Sequence, residues 1–216
     1  MANQLQLNHI CFDTLPPFAI TYSQVWNQTL TIEKGEKVLV SAPSGKGKSS
    51  FINLLYGLRS DFTGSYKIDN VDTSAFSPGR WSDFRSQETS IVFQDLRLLM
   101  DYSVWDNLAI KGKLQGSEFD KNTVFTMAEV LGIELLLEKK CAQLSFGERQ
   151  RVAIIRSLLQ KADFLILDEP FSHLDDNNAS KALQMIDNEA VKNNSAIIMT
   201  SLGSDHGWEY DRLLLL

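Results

Sequence analysis

Lys37-Val38-Leu39-Val40-Ser41-Ala42-Pro43-Ser44-Gly45-Lys46-Gly47-Lys48-Ser49-Ser50-Phe51-Ile52-Asn53-Leu54-Leu55 is the stretch that decides how this chain is read. Lys37 to Ser41 reads as a buried strand and Ser49 to Leu55 as a helix, with a glycine-rich turn between them. That order makes a phosphate site. Backbone N–H groups of the turn and of the helix N-terminus point into one concavity, where the helix dipole adds positive potential. Ala42, Pro43, Ser44, Gly45, Lys46, Gly47, Lys48, Ser49 and Ser50 then form the cradle. Lys48 reaches the β- and γ-phosphates, and the Ser49 hydroxyl ligates Mg²⁺. The pattern G-x-x-x-x-G-K-[ST] is missed at one place, where Ala42 stands for the first glycine; alanine serves there if its φ stays negative.

Outward from this stretch, residues 4–32 alternate in the manner of strands: Leu5, Leu7 and Ile10, then Phe18, Ile20 and Tyr22, then Leu30 and Ile32. Pro16-Pro17 interrupts them, and Lys34-Gly35-Glu36 turns the chain into Lys37. Downstream, Tyr56-Gly57 is a helix stop, Gly64 to Asp69 a strand, and Thr89 to Phe93 a short β-branched run. Ser103 to Lys140 is helical in period, with Val104, Leu108, Leu114, Val124, Met127, Val130 and Leu131 as its apolar positions. Gly147 to Gln160 is an amphipathic helix, Phe164 to Asp168 an apolar strand, and Asn178 to Asn193 a further helix. Ser195 to Thr200 and Asp211 to Leu216 read as the last strands.

The composition bounds the function classes. With 216 residues, 44% of them hydrophobic, the chain can bury a real core as one large domain. Its net charge of -6 and its scattered Lys and Arg argue against a general nucleic-acid or anionic-membrane surface. Cys11 and Cys141 lie far apart with no metal-ligand spacing, as reduced structural thiols of a cytosolic protein do. No apolar run approaches the roughly 20 residues that span a bilayer.

Hydrolysis of a bound nucleotide needs a phosphate cradle, a metal ligand and a group that takes a proton from water. Asp168 ends an apolar strand and so stands at the sheet edge where a metal carboxylate belongs; Glu169, next to it, is the candidate general base. Gln94 follows another buried strand, at an end where ligand-facing groups sit, although by itself it reads as a solvated loop amide. Ser145 with Glu148 three residues on makes a capping box, and a capped helix start also binds anions.

The ordered set Ala42 to Ser50, Phe93-Gln94, Leu144-Ser145-Phe146-Gly147-Glu148-Arg149-Gln150-Arg151 and Leu167-Asp168-Glu169-Pro170 resembles the ATP-binding cassette ATPase family over nearly the whole chain. The resemblance implies ATP and Mg²⁺ as cofactors and an α/β fold: a P-loop NTPase core with a mixed sheet, an N-terminal antiparallel β lobe and an inserted α-helical subdomain. The single cassette of residues 1–216 then divides into core and β lobe at 1–93 and 162–216, with the helical subdomain at 94–161. It also implies that Gln94 contacts Mg²⁺ or water, that Ser145 and Gly147 bind the γ-phosphate held by a second subunit, and that Asp168 and Glu169 are metal ligand and base. Asp175 couples the two sites, and Phe12 or Phe18 stacks on adenine. Three further stretches, Phe93 to Leu99, Ser103 to Asn107 and Gly147 to Arg151, resemble the lipoprotein-release, macrolide-export and cell-division group. The implied partners are an integral membrane subunit with few spans and a second ATPase subunit, identical or related. The implied place is cytoplasmic, on the inner face of the cell membrane through that partner, with no nucleic acid bound.

Three positions depart from the family. Ser201 stands where members carry a histidine after the strand matching Ala196 to Thr200, and a serine offers no long or cationic donor to the γ-phosphate. Phe146 replaces a glycine, and Ala42 another. His206 reads as a surface histidine, His173 as a local hydrogen-bonding residue and His9 as a sheet residue. Two readings follow: an ATP-hydrolysing subunit that drives a membrane partner, and an ATP-gated dimerising subunit with little or no hydrolysis.

Overall fold

The computed structural model describes residues 1–41, 43, 45–114, 120–203 and 205–216, without the side chains of residues 111, 113 and 114. Two of the cradle residues, Ala42 and Ser44, and the apolar side chain of Leu114 therefore lie outside the described residues.

Five strands form one parallel sheet around β3 (Lys37–Ser41), with β6 (Thr89–Val92), β7 (Phe164–Asp168) and β8 (Ala196–Ser201) on one side and β9 (Arg212–Leu215) on the other. Successive side chains of a strand point to opposite faces, and here both faces are covered. Leu39, Leu165, Leu167, Ile197 and Met199 enter one core; Val38, Val40, Phe164, Ile166 and Ile198 enter another. The near-continuous apolar runs of these strands are the sequence's record of that double burial.

The first core is closed by α4 (Val104–Leu114), α5 (Lys121–Val130), α6 (Phe146–Leu158) and α7 (Asp176–Asn193), through residues such as Leu108, Val124, Ile155 and Ile186. The second is closed by α2 (Lys48–Leu55) and by an antiparallel sheet of β1 (Gln4–Cys11), β2 (Thr29–Glu33), β4 (Thr63–Ile68) and β5 (Val71–Asp72), ordered β2-β1-β4-β5. The α/β architecture with an antiparallel lobe is as the sequence implies; the two strand orientations are divided between two sheets. Gly57, at φ 68°, ends α2 in the left-handed conformation that glycine adopts without a Cβ penalty.

One expected strand is corrected. Pro17 to Thr21 forms the short helix α1, not an extended run. Pro16 is extended and Pro17 occupies the first helical position, where its fixed φ suits a helix start. Phe18 and Tyr22, read as strand positions, are 61% and 83% exposed. A further helix, α3 (Pro78–Asp83), capped by Ser77, runs into a widened turn at Phe84–Glu88, which the sequence periodicity did not assign.

Candidate active site

The parallel register gathers the site. Val40 and Asp168 both pair with Thr200, and Ser41 pairs with Ser201, so the start of the glycine turn and the end of β7 share one carboxyl edge of the sheet. Gly45 and Gly47 hold φ 84° and 95°, and Gly47 is the N-cap of α2. Trp26 is buried beneath the turn and donates its indole N–H to the Lys46 carbonyl at 3.1 Å, wedged edge-on between Phe12 and Phe51. A Cβ on Gly47 would stand 2.7 Å from Leu15 Cδ2 and 3.2 Å from the Trp26 ring. Gly47→Ala is therefore expected to cost about 1–3 kcal/mol of stability, from strain and overpacking together, and to weaken ATP binding; thermal unfolding and an ATP titration check both. Ser50 is turned to other work, since its hydroxyl accepts from Arg59 at 2.7 Å.

Ser49, Gln94 and Asp168 line one cleft of about 300 Å³ with Asn53, Phe93, Asp95 and Arg97. Asp168 is buried, and its Oδ1 accepts from the Thr200 hydroxyl at 2.6 Å. Burial pushes its carboxyl above the usual range; the Thr200 hydroxyl opposes that, Glu169 adds to it, Lys48 opposes and Asp95 adds. A hydroxyl, an amide oxygen and a carboxylate are hard donors that suit Mg²⁺ beside phosphate oxygens, and a cation there offsets the burial of the Asp168 charge. Among the described residues no cluster of three or more His, Cys, Asp or Glu offers a competing cage.

Glu169 takes a left-handed backbone, φ 48°, and its N–H points to Thr200 O at 3.3 Å and Oγ1 at 3.2 Å. For a side-chain-bearing residue this conformation is uncommon and is kept by its surroundings. It breaks the extended path of β7 at the residue that carries this carboxylate. Oε1 lies 3.3 Å from Lys48 Nζ, with both side chains 8% exposed. Glu169 also lines a second cleft, of about 340 Å³, with Phe171, Ser172, Thr200, Ser201, Leu202 and His206. Ser201 is buried at the end of β8 and its Oγ accepts from Gly203 N–H at 3.2 Å. His206 is solvent-exposed yet borders that cleft, its ring edge against Phe171 at 4.9 Å; burial pushes its pKa down, against Asp205 and Asp176.

Ser145 caps α6: its N–H and hydroxyl each donate to Glu148 Oε2 at 2.7 Å, and its Oγ accepts from Glu148 N–H at 3.3 Å. The Ser145 hydroxyl accordingly holds the Glu148 carboxyl below its ordinary range. Gly147 admits the chain of the neighbouring loop, since a Cβ there would sit 2.9 Å from the His173 carbonyl. Phe146 is half-exposed and stacks at a tilt on His173, 4.2 Å between ring centres. Asp175 caps α7 by accepting from Asn178 N–H at 2.9 Å. Ser145 and Gly147 line neither of the two clefts.

The sequence reading passed over Gln150. It is buried, donates to the Glu169 carbonyl at 3.2 Å and to Ser172 Oγ at 3.3 Å, and accepts from His173 N–H at 3.1 Å. An amide at a buried position of α6, in line with Ala153, Ile154 and Ser157, was the available signal, because a buried amide demands partners. Of the two aromatics proposed for adenine, Phe12 is core, packed on Trp26 and Phe62 with the Arg59 guanidinium 4.0 Å over its ring; Phe18 offers an open face on α1. No helix among the described residues is long and apolar enough to cross a membrane.

The family pattern described as ABC transporter matches residues 25–172. The chain is 32% identical over 189 residues to the lipoprotein-releasing system ATP-binding protein LolD of Legionella pneumophila (strain Lens), covering 87% of this chain and 83% of that one. It is 33% identical over 175 residues to the thiamine import ATP-binding protein ThiQ of Escherichia coli (strain K12), covering 80% and 73%. The dimeric structure of MJ0796, a bacterial ABC transporter cassette, superposes with a TM-score of 0.84 over 98% of this chain and 94% of that chain at 22% identity. A bacterial Atm1-family ABC exporter with ATP bound matches at a TM-score of 0.80 and 22% identity; all of this chain is covered, but only 37% of the exporter's. At such identities the two structures speak to the fold alone.

Proposed function

The chain belongs to the ABC transporter family, and from that premise we propose that it is the ATP-binding and ATP-hydrolysing subunit of a membrane complex. It closes as a dimer around two ATP and drives a conformational change in a transmembrane partner. One observation carries this reading: the Lys48–Glu169 ion pair stands next to the Ser49–Asp168 cleft, with a glycine turn and a helix N-terminus behind it. The triphosphate lies along residues 42–50, with Lys48 on its β- and γ-phosphates. Ser49, Asp168 and Gln94 would hold Mg²⁺, which would supply positive charge to offset that of the phosphate oxygens. A γ-phosphate competes with Glu169 for the Lys48 ammonium, and the carboxylate so released accepts the proton of the attacking water. Ser145 and Gly147 meet the nucleotide of the second subunit, identical or related, and Phe18 stacks on adenine. Residues 94–161 move as a helical subdomain against the core of 1–93 and 162–216. The partner is a membrane subunit with few spans, which holds the chain at the cytoplasmic face, and the acidic balance leaves nucleic acid aside.

Phosphate release from the purified chain, alone and with its membrane partner, tests hydrolysis; a rate at background in both sinks it. A specific observation favours the second reading, an ATP-gated dimerising subunit: Ser201 is short, buried and engaged with Gly203 N–H. Ser201→His supplies a longer donor at that cleft and is expected to raise turnover about tenfold. Equal rates for the variant and the parent would remove position 201 from the account.

A further inference from the structure

After Val92 the chain turns sharply through Phe93, Gln94, Asp95, Leu96 and Arg97. Leu96 and Arg97 stand consecutively at φ 60° and 44°. Side-chain-bearing residues keep that conformation only where their surroundings impose it. Within the turn, Leu96 N–H donates to the Phe93 carbonyl at 2.9 Å and Arg97 N–H to the Asp95 carbonyl at 2.7 Å. From outside, one side chain takes the two carbonyls that the turn presents: Arg156 donates from Nη2 to Leu96 O at 2.6 Å and from Nη1 to Arg97 O at 2.9 Å. Among the described residues no carboxylate pairs with Arg156. Its planar fork therefore spends its charge on this backbone, in a geometry that a lysine ammonium cannot copy.

Arg156 sits in the last turn of α6, whose first turns carry Ser145, Gly147 and Gln150. One rigid helix thus grips the Glu169 carbonyl through Gln150 and the Gln94 turn through Arg156. We propose that Arg156 is a positioning residue for Gln94: by clamping the carbonyls of Leu96 and Arg97 it locks the turn that presents Gln94 to the Ser49–Asp168 cleft, so that displacement of α6 is transmitted to Gln94. The inference rests on the metal- and water-contacting role proposed above for Gln94.

Amide hydrogen exchange over residues 93–98, with residues 48–55 as internal reference, reads the clamp whether or not ATP is hydrolysed. Arg156→Ala is expected to speed exchange in the first segment about tenfold or more and to leave the reference within about twofold. In the ATPase assay, kcat falls about as far as in Gln94→Ala, KM for ATP stays within about twofold, and the double variant is no slower than Gln94→Ala alone. Arg156→Lys falls between wild type and Arg156→Ala, and takes the place of the alanine variant if that one does not fold. Unchanged exchange at 93–98 overturns the proposal, as do losses that multiply in the double variant. Wild-type turnover in Gln94→Ala overturns the role of Gln94 instead, and exchange then decides by itself whether Arg156 holds the turn.

Discussion

Glu169→Gln is expected to bind ATP and to release phosphate about 10²–10⁴-fold more slowly than the parent chain, the usual worth of a positioned general base. The substitution is nearly isosteric, so the left-handed backbone at 169, its N–H directed at Thr200 and the bond from Gln150 to its carbonyl can all persist. What is lost is a carboxylate 3.3 Å from Lys48. Glutamine cannot accept a proton from water at neutral pH, and it no longer competes for the ammonium. ATP affinity should therefore be equal or tighter while turnover collapses. Single-turnover phosphate release and equilibrium ATP titration separate the two quantities. Turnover near the parental rate would move the base elsewhere, and a parallel loss of affinity would mark a damaged fold.

Lys48→Ala acts in the opposite direction on binding. Losing a charge-assisted contact to the phosphates raises the ATP Kd about 100-fold, the equivalent of about 2.7 kcal/mol. It also strands the Glu169 carboxylate in a site where its side chain is only 8% exposed. Removing one member of a buried pair costs about 3–5 kcal/mol, because the other charge is left without compensation. Lys48→Ala is thus expected to melt well below the parent chain. Lys48→Ala combined with Glu169→Gln should regain most of that stability and none of the affinity. Thermal unfolding of the four-member cycle and ATP titration of each member measure both. Additive losses of stability would show that the ion pair contributes nothing beyond its separate side chains.

Much of this was legible because burial writes itself as period. β3 and α2 are read from Lys37 to Leu55 almost to the residue, since a doubly buried strand is continuously apolar and the glycines mark the turn. β7 with Asp168 and Glu169 follows by the same rule. The misreading at Phe18, Ile20 and Tyr22 arose where spacing by two imitates a strand; the proline pair set the helix start, and the exposed aromatics show that no buried face lay behind the pattern. α3 and the widened turn after it escaped because their residues carry no apolar period. The site's catalytic candidates were readable as residue types at strand ends. Its supports were not: Gln150, Trp26 and Arg156 all bond to backbone carbonyls of distant segments, and a carbonyl leaves no mark in the amino-acid code.

Trp26 gives the molecule an optical property of its own. Its indole is buried against Phe12 and Phe51, with its one polar atom tied to the carbonyl of Lys46 in the phosphate turn. The other three tryptophans stand away from that turn: Trp81 against Tyr66, Phe76 and Phe84, Trp208 against Tyr210, and Trp105 beside the helical core. Any anion that pulls the Lys46 peptide toward itself changes the field along the indole dipole, and with it the colour and yield of that ring's fluorescence. The chain therefore carries an unlabelled reporter for occupancy of its phosphate turn.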